Sequence, residues 1–260
     1  MPRAALPAAL ADRAAATPEE PWLFYRDADD WRWRSWGQVA DQAARGAAAL
    51  RPPAGTARVA VDDRLRPDAV AAALAVQAAG GAAVPGGEGA ALALPPVRSR
   101  LARWTPDLDA LRHAAADAVA FAGPRDQEGR THRDLIGAAI AWSDALPEPR
   151  GRPIVLASPG VGRLHRQVLL AWNLFTGAAW VLEDDPIGFL PAVLRNRPTF
   201  VLAPGADLAL LATALRERRH RRWHRLRAVG LTDQASTELY LGDEWDALGV
   251  PVVRLGRRRP

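Results

Sequence analysis

A chain of 260 residues with a formal net charge of +5 and no cysteine has room for one large domain or two small ones. It excludes disulfides, thiolate metal ligands and a cysteine nucleophile, and because all 34 of its basic residues are arginine it also excludes Schiff-base lysines and lysine contacts to phosphate. The longest nearly apolar stretches, Ala69–Ala79 and Val168–Trp172, fall short of the roughly 20 residues of a membrane span, and no apolar run precedes Asp12 and Arg13 as in a secretory signal, so the expectation is a cytoplasmic protein without a membrane partner.

In chain order, Leu6–Ala16 reads as a helix ended by Thr17-Pro18. Trp22–Tyr25 and Trp31–Trp33 read as two strands joined by the polar turn Asp27–Asp30. Ser35 is placed to cap a helix over Trp36–Leu50, whose Val39, Ala43, Ala47 and Leu50 recur at helical spacing. Arg58–Val61, a helix from Pro67 to Ala79 and Ala82–Val84 make a strand–helix–strand unit that predicts parallel pairing. Gly86–Thr105 reads as an irregular connection.

The same rhythm then returns. Strands are predicted at Ala118–Ala122, Pro153–Ala157, Ala178–Leu182, Thr199–Leu202, Leu226–Leu231 and Pro251–Leu255. Helices are predicted between them at Thr131–Ala145, Leu164–Phe175, Ile187–Arg195, Asp207–Arg219 and Asp243–Leu248. The fold class that follows is α/β, with two doubly wound βα lobes, one over 1–110 with the N-terminal hairpin and one over 111–260, packed as one unit.

Five blocks resemble a known family. LPAALADRAAATPEEPWLFYRDADDWRWRSWGQVADQAARGAAAL, AAALAVQAAGGAAVPGG, RPIVLASPGVGRLHRQVLLAWNLFTGAAWVLEDD, RNRPTFVLAPGADLALLATAL and LRAVGLTDQAS with LGVPVVRLG occur in this order. They resemble the large N-terminal domain of adenylate-forming enzymes, the acyl-CoA synthetases and peptide-synthetase adenylation domains. The resemblance implies that a Ser/Thr/Gly-rich loop ending in Pro-Lys-Gly follows the strand Ala118–Ala122 and holds the ATP phosphates. Here that segment reads AGPRDQEGRTHRDL. Gly123, Arg125, Gly129, Arg130 and Thr131 occupy the position, with Asp126 and Glu128 to repel phosphate and no lysine.

The family's Tyr-Gly-x-Thr-Glu element is expected after Pro251–Leu255, where the chain runs only to Gly256–Pro260. Thr237-Glu238 lies before that strand and reads as ordinary loop or helix start. The resemblance thus implies a truncated, degenerate form without the small C-terminal domain, with no catalytic residue, no metal and no ATP or AMP cofactor.

Outside the phosphate-loop position, SPGVGRLHRQ is the best candidate for a small site. It follows a strand and opens a helix, so its backbone N–H groups suit an anion. Ser158, Gly160, Gly162 and His165 are the candidate residues, with Arg163 and Arg166 adding charge; the resemblance implies that His165 helps wall an acyl pocket. The plainer reading is a strand–turn–helix capped by Ser158. His132, His165, His220 and His224 show no metal-ligand pattern, and no G-x-S-x-G elbow is present. The ten tryptophans read as core and interface anchors rather than a base-stacking surface, and Trp31, Trp33 and Trp36 are close enough together to offer an exposed partner patch.

The function expected is a non-catalytic binding or scaffold module, a pseudoenzyme whose partner is a full-length synthetase, a carrier protein or a second copy. Two alternatives stand beside it: an AMP-dependent ligase with residual acyl or adenylate binding through arginines, and a basic nucleic-acid module using Arg216–Arg227. The arginine cluster also reads as a solvated helix end, and no nucleic-acid partner is expected.

Overall fold

The computed structural model describes residues 5–28, 30–50, 58–86, 92–93, 108–122, 129–148, 150–217, 225–232 and 238–255. Helix α1 (Leu6–Ala16) starts with Pro7 in its first turn and buries Leu6, Ala9, Leu10 and Ala14. Strands β1 (Pro21–Asp27) and β2 (Asp30–Ser35) form the expected antiparallel hairpin. Ser35 then caps α2 (Trp36–Leu50) reciprocally: its hydroxyl accepts the Gln38 N–H at 3.2 Å, and the Gln38 side-chain oxygen accepts the Ser35 N–H at 3.1 Å.

Strand β3 (Arg58–Val61), helix α3 (Pro67–Ala78) and strand β4 (Ala82–Pro85) make the first parallel βαβ unit. Strands β5 (Leu92–Ala93), β6 (Val119–Phe121) and β7 (Arg130–Thr131) complete a five-stranded sheet in the order β5-β3-β4-β6-β7. A 3-10 turn at Leu108–Arg112 lies against α1 and α2.

Helix α4 (His132–Ala145) leads into the second sheet. Strands β8 (Ile154–Ala157), β9 (Ala179–Leu182), β10 (Phe200–Ala203), β11 (Ala228–Leu231) and β12 (Val252–Arg254) alternate with α5 (Arg163–Thr176), α6 (Phe189–Asn196), α7 (Gly205–Glu217) and α8 (Glu238–Leu248). The sheet order is β12-β11-β10-β8-β9-β1-β2.

Because successive strand residues face opposite ways, this sheet builds two cores. Leu156, Val181, Val201 and Val229 pack under α6, α7 and α8 with Trp245. Val155, Trp180, Phe200 and Ala228 face a larger core that takes in α1 to α5 together with Ala120 and Phe121 of the other sheet. That shared core makes the two sheets one unit.

The sheets do not divide the chain at residue 110. The β1–β2 hairpin joins the second sheet, where β1 runs parallel to β9, while β6 and β7 belong to the first. Arg130 and Thr131, read from the sequence as the end of the loop and the start of the helix, instead form β7, which returns antiparallel along β6 before α4 begins. Trp36 is not an exposed patch residue: it is fully buried and stacks on Trp22, with ring centroids 4.0 Å apart. Only Trp33 of the expected trio is largely exposed. No helix among the described residues is long and apolar enough to cross a membrane.

Candidate functional site

In an open parallel sheet, ligands bind beyond the carboxyl ends of the strands, where the chain reverses its direction of winding. The run β9-β8-β10-β11-β12 reverses between β8 and β10, so the sheet's own candidate crevice lies between Ser158 and Pro204. The segment singled out from the sequence sits at that point.

Ser158 is fully buried, and its hydroxyl donates to the carboxylate of Asp207 in the first turn of α7. The same oxygen accepts the Gly160 N–H at 3.1 Å. Gly160 runs close to the opposite wall: a Cβ there would stand 3.0 Å from Pro204 Cγ and 3.2 Å from an Asp207 carboxylate oxygen. The expectation that Ser158 caps the following helix is therefore corrected. The N-cap of α5 is Gly162, without a side-chain cap, and Ser158 instead bridges the crevice. A hydrogen bond to a charged partner contributes about 1.5–3 kcal/mol, so Ser158→Ala is expected to lower stability by about that much in urea unfolding. An unchanged midpoint would show that the bridge contributes nothing.

The arginines expected to draw an anion hold the fold together. Arg163 donates to the Asp63 carboxylate at 2.8 Å. Arg166 donates to the backbone carbonyls of Val161 at 2.8 Å, Asp63 at 3.0 Å and Pro159 at 2.6 Å, and burial pushes its pKa below the usual guanidinium value. Asp63 follows β3 of the five-stranded sheet, so these bonds tie the turn after β3 to the turn and helix that follow β8 of the other sheet. A cavity of about 40 Å³ beside them, lined by Leu65, Gln167 and Trp180 among others, has room for about one water. His165 is held from two sides, its Nε2 lying 3.1 Å from the Leu255 carbonyl oxygen and its ring stacked near Trp142.

A second, wider cleft of about 360 Å³ opens at the ends of β1 and β9 between Tyr25, Arg26, Arg66 and the run Glu183–Asp185. Glu183 is 5% exposed, and that burial raises its pKa above the usual carboxylate value.

At the phosphate-loop position, Gly123 and Arg125, like Asp126 and Glu128, lie outside the described residues. Gly129 is described, with φ of +72°; a Cβ there would come within 2.5 Å of Val119 Cγ1, so the β6–β7 return requires glycine. Arg130 and Thr131 form β7. Thr131 donates its N–H and its hydroxyl to Asp134, each at 2.9 Å, and accepts the Asp134 N–H at 3.1 Å. The N-terminus of α4 thus already carries a carboxylate on the donors an anion would use.

Thr237 and residues 218–224 of the arginine cluster lie outside the described residues; Glu238 begins α8. No group of three or more His, Asp or Glu able to hold a metal occurs among the described residues. Asp63, Asp207 and Glu183 were not among the residues picked from the sequence. Each looks there like an ordinary turn or helix-start acid, and their partners stand 100 and 49 residues away for the first two.

No family profile matches the chain, and no curated protein sequence does. Solved structures do. A Mycobacterium tuberculosis fatty acyl CoA synthetase superposes with a TM-score of 0.75 at 14% identity, over 95% of this chain and 58% of that one. The o-succinylbenzoate CoA synthetase MenE of Bacillus subtilis does so with a TM-score of 0.69 at 19% identity, over 95% of this chain and 57% of that one. A nonribosomal peptide synthetase gives a TM-score of 0.72 at 20% identity, over 98% of this chain and 31% of that one. The chain thus spans less than two thirds of these proteins' lengths, and its fold is that of the large N-terminal domain of the adenylate-forming enzymes.

Proposed function

We propose that this chain is a non-catalytic module with an adenylate-forming fold, acting in binding or as a scaffold. One observation carries the reading: at the place where the resemblance puts the triphosphate, the Asp134 carboxylate sits on the N–H and hydroxyl of Thr131. A second anion there would meet like charge at the range where repulsion is strongest. The preceding loop adds Asp126 and Glu128 and offers no lysine. The crevice between β8 and β10 supports the same reading, because Ser158, Gly160 and Asp207 fill it with contacts to one another. Partners in keeping with this role are a full-length synthetase, a carrier protein or a second copy.

Calorimetry with ATP and Mg²⁺, followed by pyrophosphate exchange over a panel of carboxylic and amino acids, tests the reading. The expected result is no saturable heat and no exchange above background. Acid-dependent exchange would overturn it.

A further inference from the structure

Among the described residues, most sheet edges are short: β12 has three residues, and β5 and β7 have two each. The exception is β2, a six-residue strand paired only with β1. It contains no proline, and the irregularity of its hairpin lies on β1, between Pro21 and Leu23. A long, regular edge of this kind is a template for another strand.

The hairpin register fixes which residues face the open side. Asp27 and Asp30 flank a two-residue turn with Ala28 at φ 53°, and such a flanking pair is hydrogen-bonded. Bonded and non-bonded pairs then alternate. Arg32 and Arg34 thus direct their N–H and C=O groups at β1, whereas Trp31 and Trp33 direct theirs outward. Those outward groups meet no partner among the described residues, and the Trp33 residue is 46% exposed.

The order Asp30-Trp31-Arg32-Trp33-Arg34 complements its own reverse. Set antiparallel about a twofold axis at Arg32, Trp31 of each copy faces Trp33 of the other, and each such pair exchanges both backbone bonds. On the opposite face, Asp30 of each copy meets Arg34 of the other, and aromatic and opposite-charge cross-strand pairs are both favourable. Arg32 meets its own counterpart, but Asp27 lies 3.2 Å from it in each copy and offsets the charge. The neighbouring registers set Arg32 against Arg34 or leave Trp33 and Arg34 against the turn.

We propose that β2 pairs antiparallel with β2 of a second copy, joining the two seven-stranded sheets into one. This pairing builds on the scaffold reading by choosing a second copy as the partner. Association is measured without nucleotide or acid, so its failure and acid-dependent exchange are separate results.

Sedimentation equilibrium of the full chain over a range of concentrations is expected to show a mass rising from 28.0 kDa toward twice that value. Asp30→Arg alone sets arginine against Arg34 of the other copy, and Arg34→Asp alone sets aspartate against Asp30. Each is expected to weaken association about tenfold or more. Both positions are exposed, and Asp30 faces Asp27 across the turn, so Asp30→Arg relieves a like-charge pair and the strand stays folded. Mixing the two single variants restores both opposite-charge contacts, as does combining the substitutions in one chain, and in both cases wild-type association is expected. A monomer at every concentration overturns the proposal and leaves the edge to a synthetase or carrier protein. Single variants that associate like the wild type, or a mixture no stronger than its components, overturn it as well.

Discussion

Acidification from pH 6.5 to pH 4 is expected to remove about 3 kcal/mol of stability through one side chain, His132. This residue opens α4 and is fully buried. Its Nδ1 accepts the backbone N–H of Leu6 at 3.3 Å, so it serves one of the unpaired donors at the start of α1 across 126 residues of chain. The acceptor role of Nδ1 places the ring proton on Nε2, which is buried and has no partner among the described residues.

A second proton would turn Nδ1 into a donor facing another donor and would place a charge in the core. Burial accordingly lowers the His132 pKa from 6.5 to about 4. The sign follows from linkage. Above pH 6.5 neither state holds the extra proton, and the full stability is present. As pH falls below 6.5 the unfolded chain takes up the proton while the folded chain resists until about 4, so unfolding gains free energy across that window. At 1.36 kcal/mol per unit of pKa, the total is about 3 kcal/mol.

Urea unfolding of the wild type and of His132→Gln at fixed pH values from 7.5 to 4 reads this directly. Glu183, whose pKa is raised, contributes in the opposite sense: its share is present at acid pH and fades as pH rises. It is common to both proteins and cancels in their difference. His132→Gln is expected to lose some stability at pH 7 with the Leu6 hydrogen bond, and to lack the wild type's extra acid slope. Parallel curves for the two proteins would refute the assignment.

The parts of this fold that were legible in the sequence are those whose determinants are local. The helices Leu6–Ala16 and Trp36–Leu50 were placed residue for residue. The first is bounded by a proline and by Thr17-Pro18, and the second opens on Ser35 and Gln38, which cap it. The βαβ rhythm likewise gives the parallel sheets, because a short apolar strand followed by an amphipathic helix has few other ways to bury both.

What stayed hidden depends on pairing at a distance. Nothing within Pro21–Ser35 says which sheet its hairpin joins; that is decided by contact with β9, more than 140 residues on. Strands β5 and β7 are two residues long and exist only through their neighbours β3 and β6. The site shows the same divide. Ser158 was legible as the residue at a strand–turn–helix junction, whereas Asp207 and Asp63, which fix that junction in place, carry no mark in their own segments. Helical spacing also explains the misplacement of Trp36. Proximity to Trp31 and Trp33 suggested one patch, but the change from strand to helix at Ser35 turns its ring inward.

That inward turn makes Trp36→Ala the substitution with the largest expected cost, about 3–5 kcal/mol. Trp36 and Trp22 are fully buried, and their rings stack with centroids 4.0 Å apart and planes 13° from parallel. Trp22 belongs to β1 of the seven-stranded sheet, and Trp36 begins α2, which packs on α3, the crossover helix between β3 and β4 of the five-stranded sheet. The stack therefore joins the two sheets, and truncation leaves a cavity that rigid strands on one side and a helix on the other cannot easily close. Neither indole N–H has a partner among the described residues, so the rings contribute through area and contact rather than through their polar edge. Trp36→Phe, which keeps most of the area and removes an unmet donor, is expected to cost less than half as much as Trp36→Ala. Urea unfolding of both variants distinguishes a packing role from a polar one. A Phe variant as unstable as the Ala variant would place the stabilisation in the indole nitrogen instead.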